Sequence, residues 1–184
     1  MSRYALLLRG VNVGTNNSLP MAELRAMLAA LGCTGVETYV QSGNAVLETD
    51  LGEAELTRAI EARLGAYMGR PIATTLRTKA QVGAIVSQNP FGDLAERGPA
   101  KMCVTFLSHR PTRAELAPLR TVELGRDRFH VAGREIYTWH EDGQGKSELA
   151  ARLVKLPLGG VKTTRNWNTV RKLLDMLGAR PPGR

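Results

Sequence analysis

The sequence predicts an α+β protein: a ferredoxin-like βαββαβ first half packed against a second, related βαββα half that ends in a C-terminal helix. Three observations carry this. Short apolar runs of strand length alternate with segments whose apolar residues recur every three or four positions. Gly-containing turns follow the second strand of each half. A Pro- and Gly-bearing stretch then divides the 184 residues near the middle. The expected organisation is a ferredoxin-like subdomain over residues 1–88, a connecting loop over 89–98, and a second α+β subdomain with the C-terminal helix over 99–180.

In order along the chain, Tyr4 to Leu8 is an uninterrupted apolar strand. Met21, Leu24, Met27, Leu28 and Leu31 have helical spacing that stops at Gly32, with Pro20 in the first turn. Val36 to Val40 and Ala45 to Thr49 form a hairpin around Gln41, Ser42, Gly43 and Asn44. Asp50 and Glu53 give a capping pattern for the helix of Leu56, Ile60, Leu64 and Met68, and Pro71 to Arg77 closes the set as a strand. Thr78 with Gln81 caps a third helix.

The second half repeats the order: strand Lys101 to Leu107, a helix capped by Thr112 with Glu115, a hairpin of Arg128 to Val131 with Arg134 to Thr138, and a helix carrying Leu149 and Leu153. A degenerate copy of the first half is therefore expected, although no residue-level repeat is visible. The final helix, with Trp167, Val170, Leu174 and Leu177 on one side, is expected to be capped by Thr163 or Thr164.

Composition bounds the function. The longest apolar run falls far short of the roughly 20 residues of a membrane span, and no signal-peptide pattern precedes the first strand, so a cytoplasmic, non-membrane protein is expected. Cys33 and Cys103 are isolated and read as core residues, and His109, His130 and His140 lack ligand spacing, so no metal or other cofactor is expected. The net charge of +8 is unevenly placed: residues 1–100 hold nine basic and nine acidic side chains, and residues 101–184 hold sixteen and eight. Such an excess attracts phosphate-bearing partners if it shares a face, and is otherwise a solvated surface.

The stretch LLRGVNVGTNNSLP raises the main functional question, because about ten residues rich in Gly and Asn separate the first strand from its helix. In the ferredoxin-like topology this loop and the Gln41–Asn44 turn share one rim of the sheet. That gathers Arg9, Asn12, Asn16, Asn17, Ser42 and Asn44 beside the start of a helix, a donor-rich setting for an oxyanion, a phosphate or a polar edge. The competing reading is structural: Asn and Gly serve positive φ and turn hydrogen bonds in most loops.

A second cluster, TTRNWNT, puts Arg165, Asn166 and Asn168 around the start of the final helix, where an Arg in the first turn opposes the dipole unless an anion compensates it. Gly143, Gln144, Gly145, Lys146 and Ser147 imitate the end of a phosphate-binding loop, but His140 stands where its first Gly belongs. A Walker-type NTPase is not expected on that ground, and Lys146 remains as a candidate anion ligand.

LLRGVNVG, YVQSGNAVL, KMCVTFL, GQGKSELA and TTRNWNTV together resemble a bacterial family known as domain of unknown function 1697, from about Leu6 to Leu177. The resemblance implies a compact α+β protein with a ferredoxin-like first half. It implies no activity, cofactor or catalytic residue. This chain departs from the pattern at Ser147-Glu148, where a basic residue is expected after the serine.

Three functions follow as expectations. The first is binding of a phosphate-bearing or polar ligand, a nucleotide or nucleic acid, at the Asn/Gly rim with Lys146 and Arg165. For RNA, Tyr4, Tyr39, Tyr137 and Trp139 are the available stacking residues. The second is an enzyme acting on a small polar or phosphorylated compound at the same rim, with His140 near Glu141 as the available acid–base group. The third is a structural or interaction module whose polar motifs pin the two halves. Oligomeric state is not encoded in any of these patterns.

Overall fold

The structure is a computed structural model that describes residues 1–13 and 18–178. The chain is mixed α+β, with two four-stranded antiparallel sheets. It divides into two compact units: Met1–Ala84 together with the stretch from Lys172 onward, and Ile85–Arg171. Among the described residues no helix is long and apolar enough to cross a membrane.

The first sheet is built from β1 (Ser2–Leu8), β2 (Thr34–Tyr39), β3 (Asn44–Thr49) and β4 (Thr74–Thr78), in the order β2-β3-β1-β4. Helix α1 (Met21–Ala30) links β1 to β2, and α2 (Glu53–Met68) links β3 to β4. This is the βαββαβ order that the sequence predicts. Alternation along β1 sends Tyr4, Leu6 and Leu8 into one core with Leu24 and Leu28 of α1 and Leu56, Ile60 and Leu64 of α2. Each fully buried leucine there contributes about 1.5–3 kcal/mol.

Two local expectations in this half are corrected. Asp50 does not cap α2; the cap position is Gly52, with no side-chain bond, and Asp50 instead accepts the N-terminal ammonium at 3.0 Å. Gly69 then ends α2 in the left-handed conformation at φ 66°, which a residue with a Cβ adopts only at a cost. β4 also begins three residues later than Pro71, at Thr74, where its partner strand β1 ends at Leu8. By contrast, Thr78 and Gln81 form the predicted reciprocal cap of α3 (Lys79–Ser87), with bonds of 2.8 and 3.2 Å.

After the short helix α4 (Asp93–Arg97), the second sheet holds β5 (Met102–Leu107), β6 (Arg128–Ala132), β7 (Glu135–Trp139) and β8 (Lys162–Asn166), in the order β6-β7-β5-β8. Helix α5 (Arg113–Arg120) carries the predicted Thr112–Glu115 capping box, and α6 (Glu148–Lys155) precedes β8. Leu107 and Ile136 pack with Leu116, Leu119, Leu149 and Leu153 on the helical side of the sheet. The opposite face is also occupied: the Tyr137 hydroxyl donates to the Ile85 carbonyl at 3.2 Å. Cys33 and Cys103 are buried free thiols, and burial pushes Cys103 up to about 11.

The eighth strand is the main departure. Thr163 and Thr164 lie in β8 and do not cap the last helix, α7 (Trp167–Gly178). The cap is Asn166, whose Oδ1 accepts the Thr169 N–H at 2.9 Å. With β8 in place, the second sheet has the same strand order as the first, so the two halves repeat one topology followed by one helix.

Candidate functional site

In the first half the two predicted bends do share a rim. The Leu8 N–H donates to the Gly43 carbonyl at 2.9 Å. Gly43 has φ 71°, and a Cβ there would stand 2.5 Å from Cγ2 of Val11, so the turn and the loop after β1 are in close contact. Asn12 fastens them. Its Nδ2 donates to the Gln41 carbonyl at 2.6 Å and to the Leu19 carbonyl at 2.9 Å, while its Oδ1 accepts the Leu19 N–H at 2.7 Å.

The same bonds answer what Asn12 is for: its amide is consumed in holding the loop, at a left-handed φ of 55° that Asn tolerates better than most residues. Asn44 is fully buried and likewise engaged, donating to Ser42 Oγ at 2.8 Å and to the Tyr39 carbonyl at 3.3 Å. Asn16 and Asn17 lie outside the described residues. Arg9 is exposed, and the Arg70 guanidinium reaches the next residue in the chain, donating from Nη2 to the Gly10 carbonyl at 3.0 Å. Among the described residues neither Arg9 nor Arg70 forms an ion pair. Helix α1, which starts on this rim, has no side-chain cap.

The rim is also strained. Val40 holds φ 47° with the residue 52% exposed, and a β-branched residue in that region is a conformational outlier. Val13, at the other side of the Asn12–Gln41 bond, is exposed as well.

In the second half Arg165 is not in a helix and meets no helix dipole. It sits on β8 opposite Val104, where its Nη1 donates to Thr163 Oγ1 at 2.8 Å and to the Thr164 carbonyl at 2.9 Å. Burial pulls it down to about 10, so it is still a cation at neutral pH. Asn166 is exposed but spends its carbonyl oxygen on the cap, and Asn168 is exposed on α7. Tyr4, Tyr137 and Trp139 are 5%, 2% and 4% exposed, so none of the three offers a stacking platform.

Lys146 lines a cavity of about 370 Å³, together with Glu123, Asp127 and Ser147. Beneath it lies a polar network that the sequence does not announce. Ser147 Oγ donates to Asp127 Oδ2 at 2.6 Å, accepts the Ala150 N–H at 2.9 Å as the cap of α6, and lies 2.8 Å from Nδ1 of the buried His140. Ser147 has one hydroxyl proton and the carboxylate takes it, so Nδ1 of His140 must be the donor. That fixes the imidazole tautomer and fills both lone pairs of Ser147, which leaves no free nucleophile.

Desolvation holds His140 below its ordinary value, and Asp127 offsets only part of that. Glu141, the expected partner of His140, is elsewhere, accepting the Trp139 indole N–H at 2.9 Å. Asp127 has no motif. It joins the cluster because Arg128 pairs with Trp139, which sets Asp127 beside His140 across the strand ends.

Two ferredoxin-like sheets, one with a polar rim and the other with a charged cavity, define an α+β protein that repeats one topology. The family model "Protein of unknown function (DUF1697)" matches residues 1–137, and the chain belongs to that family. It is also similar to a solved structure, the conserved bacterial protein SP0830 from Streptococcus pneumoniae, at 28% identity and a TM-score of 0.80, covering 96% of this chain and 98% of the other. No curated protein matches the chain.

Proposed function

We propose that the protein binds a small phosphate-bearing ligand, of nucleotide size or less, at the rim of its first half. The observation that carries this is the meeting of two arginines at Gly10: Arg9, exposed and its neighbour in the chain, and Arg70, whose Nη2 lies 3.0 Å from the Gly10 carbonyl. Guanidinium forks match phosphate oxygens in pairs, and the uncapped first turn of α1 adds main-chain donors of the right sign. The strain at Val40 supports the same reading, because strained backbone collects at sites that work.

Binding is favoured over catalysis at this rim. Among the described residues the side-chain bonds of Asn12 run to main-chain groups, and Asn44 bonds Ser42 and the Tyr39 carbonyl, partners that are not proton-transfer groups. Asn12 and Asn44 fix the loops of their own half, and Arg9 and Arg70 are left to meet a ligand. A nucleic acid is disfavoured because Tyr4, Tyr137 and Trp139 are buried, which leaves the half-buried Tyr39 as the one accessible ring of the four stacking candidates.

The test is calorimetric titration with inorganic phosphate, pyrophosphate, AMP and ATP at low salt. Binding that weakens about tenfold in Arg9→Ala and again in Arg70→Ala is expected, since each loses a charge-assisted bond. Absence of binding to all four, or binding indifferent to both substitutions, refutes the reading.

A further inference from the structure

The cavity of the second half has a charge pattern of its own. Arg126 is committed to Asp142, with Nη2 at 3.1 and 3.2 Å from the two carboxylate oxygens, and Glu148 faces Arg152 at 3.3 Å. Glu123 and Lys146 line the cavity without an ion-pair partner among the described residues. Asp127 is the unusual member. Its side chain is 14% exposed, and among the described residues its one basic partner within 4 Å is His140, at 3.8 Å.

His140 brings no compensating charge as long as it is the neutral Nδ1–H donor that Ser147 requires. The two bonds Asp127 accepts, from the Glu141 N–H at 2.9 Å and the Ser147 hydroxyl at 2.6 Å, come from neutral groups. They aim the carboxylate without neutralising it, and each oxygen keeps a lone pair. A carboxylate this far removed from water is costly without a cation. Asp127 lines the cavity of about 370 Å³, a volume near the lower limit of small-molecule sites.

We infer that this cavity is a second binding site, for a small zwitterion of amino-acid size, whose primary ammonium pairs with Asp127 and whose anionic group pairs with Lys146. Glu123 adds to the field that draws the ammonium in. Ser147 and His140 are positioning residues: they hold the carboxylate in place and do not touch the ligand's charge. The site uses no residue of the phosphate-binding rim, so the two readings stand or fall separately.

The probes are glycine, O-phosphoethanolamine, ethylamine and acetate, added to ¹⁵N-labelled full-length protein while the amide signals of Gly143 to Ser147 are followed. Both zwitterions are expected to shift these signals, ethylamine about tenfold more weakly, and acetate not at all. Asp127→Asn is expected to weaken zwitterion binding at least tenfold, and Lys146→Ala to bring it down to the level of ethylamine. Arg9→Ala leaves all of this unchanged.

Silence from both zwitterions overturns the inference, as does acetate acting as strongly as glycine. So does a folded Asp127→Asn protein that binds like the original. If Asp127→Asn does not fold, Lys146→Ala decides: that side chain is exposed and makes no side-chain hydrogen bond among the described residues, and undiminished zwitterion binding by it refutes the site.

Discussion

Arg77 and Arg165 hold the same position in two copies of one topology. Each is the fourth residue of the strand that closes its sheet, and each donates from Nη1 to the carbonyl of the residue before it, at 2.8 and 2.9 Å. Arg77 lies opposite Ala5, which lies opposite Val46; Arg165 lies opposite Val104, which lies opposite Tyr137. The next residue in each case caps the following helix. A desolvated guanidinium persists only when hydrogen-bonded, and an ammonium cannot reproduce its planar fork. Arg77→Ala and Arg165→Ala should each lower unfolding free energy by about 2–3 kcal/mol, with Lys little better than Ala. Urea denaturation curves check this, and a change below about 0.5 kcal/mol, the range of ordinary surface substitutions, contradicts it.

Asn12 makes two contributions that substitution can separate. Asn12→Ala loses three hydrogen bonds and places a Cβ-bearing residue at φ 55° without the local bonds that let Asn sit there. Asn12→Gly loses the same bonds and accepts the φ freely. The expected losses are about 2–3 kcal/mol for Ala and about 1 kcal/mol less for Gly. Equal losses in thermal or urea unfolding would mean that the left-handed turn carries no cost.

Val40 and Gly43 should respond in opposite directions, although both belong to the β2–β3 turn. Val40→Gly relieves a left-handed β-branched residue and gives up little packing, so stability should hold or rise by up to about 1 kcal/mol. Gly43→Ala forces a Cβ to within 2.5 Å of Val11 and 2.8 Å of Leu8 at φ 71°, and should cost about 2–4 kcal/mol. Paired melting curves read the contrast. If Val40→Gly also abolishes phosphate binding, the strain belongs to the function of the rim.

His140 and Glu115 set different parts of the pH profile. His140 is held below its ordinary 6.5, so as pH drops past that value the unfolded chain takes up a proton that the native protein refuses, and stability falls. His140→Asn, which keeps a donor toward Ser147, should remove this component. Glu115 is pulled down to about 2 by the N–H groups of Gly159 and Thr112. Its contribution is full above about 4.5 and is lost as pH falls toward 2, so Glu115→Gln should flatten that acid limb. Unfolding free energies across pH 2–8 test both signs.

Most of the first half could be read from the residues because its periodicities are strong and its turns are local. Leu56, Ile60 and Leu64 name a helix, and Thr78 with Gln81 names a cap, without reference to anything distant. β8 could not be read in the same way. Lys162 to Asn166 has no apolar alternation, and what makes it a strand is pairing with β5, including a Thr105–Thr164 hydroxyl bond of 2.7 Å across 59 positions. A run of Thr beside Trp167 and Asn168 resembles a helix start when that partner is unseen.

The candidate site divides along the same line. Asn12 was visible as a special residue but not as one whose amide is used up, since Leu19 and Gln41 are chosen by the fold. Lys146 and Ser147 stood out in a glycine-bearing motif. Asp127 did not, because only the register of β6 on β7 brings it 20 positions along the chain to Ser147.

The lateness of β8 has a consequence during synthesis. β5 sits between β7 and β8, so one flank of this central strand is satisfied when the hairpin of β6 and β7 forms, and the other stays bare until Asn166 has left the ribosome. Met102 to Leu107 is buried along its whole length in the finished protein, which makes it a sticky apolar ribbon in the interval. Nascent chains stalled before Lys162 are therefore the form of this protein most in need of a chaperone.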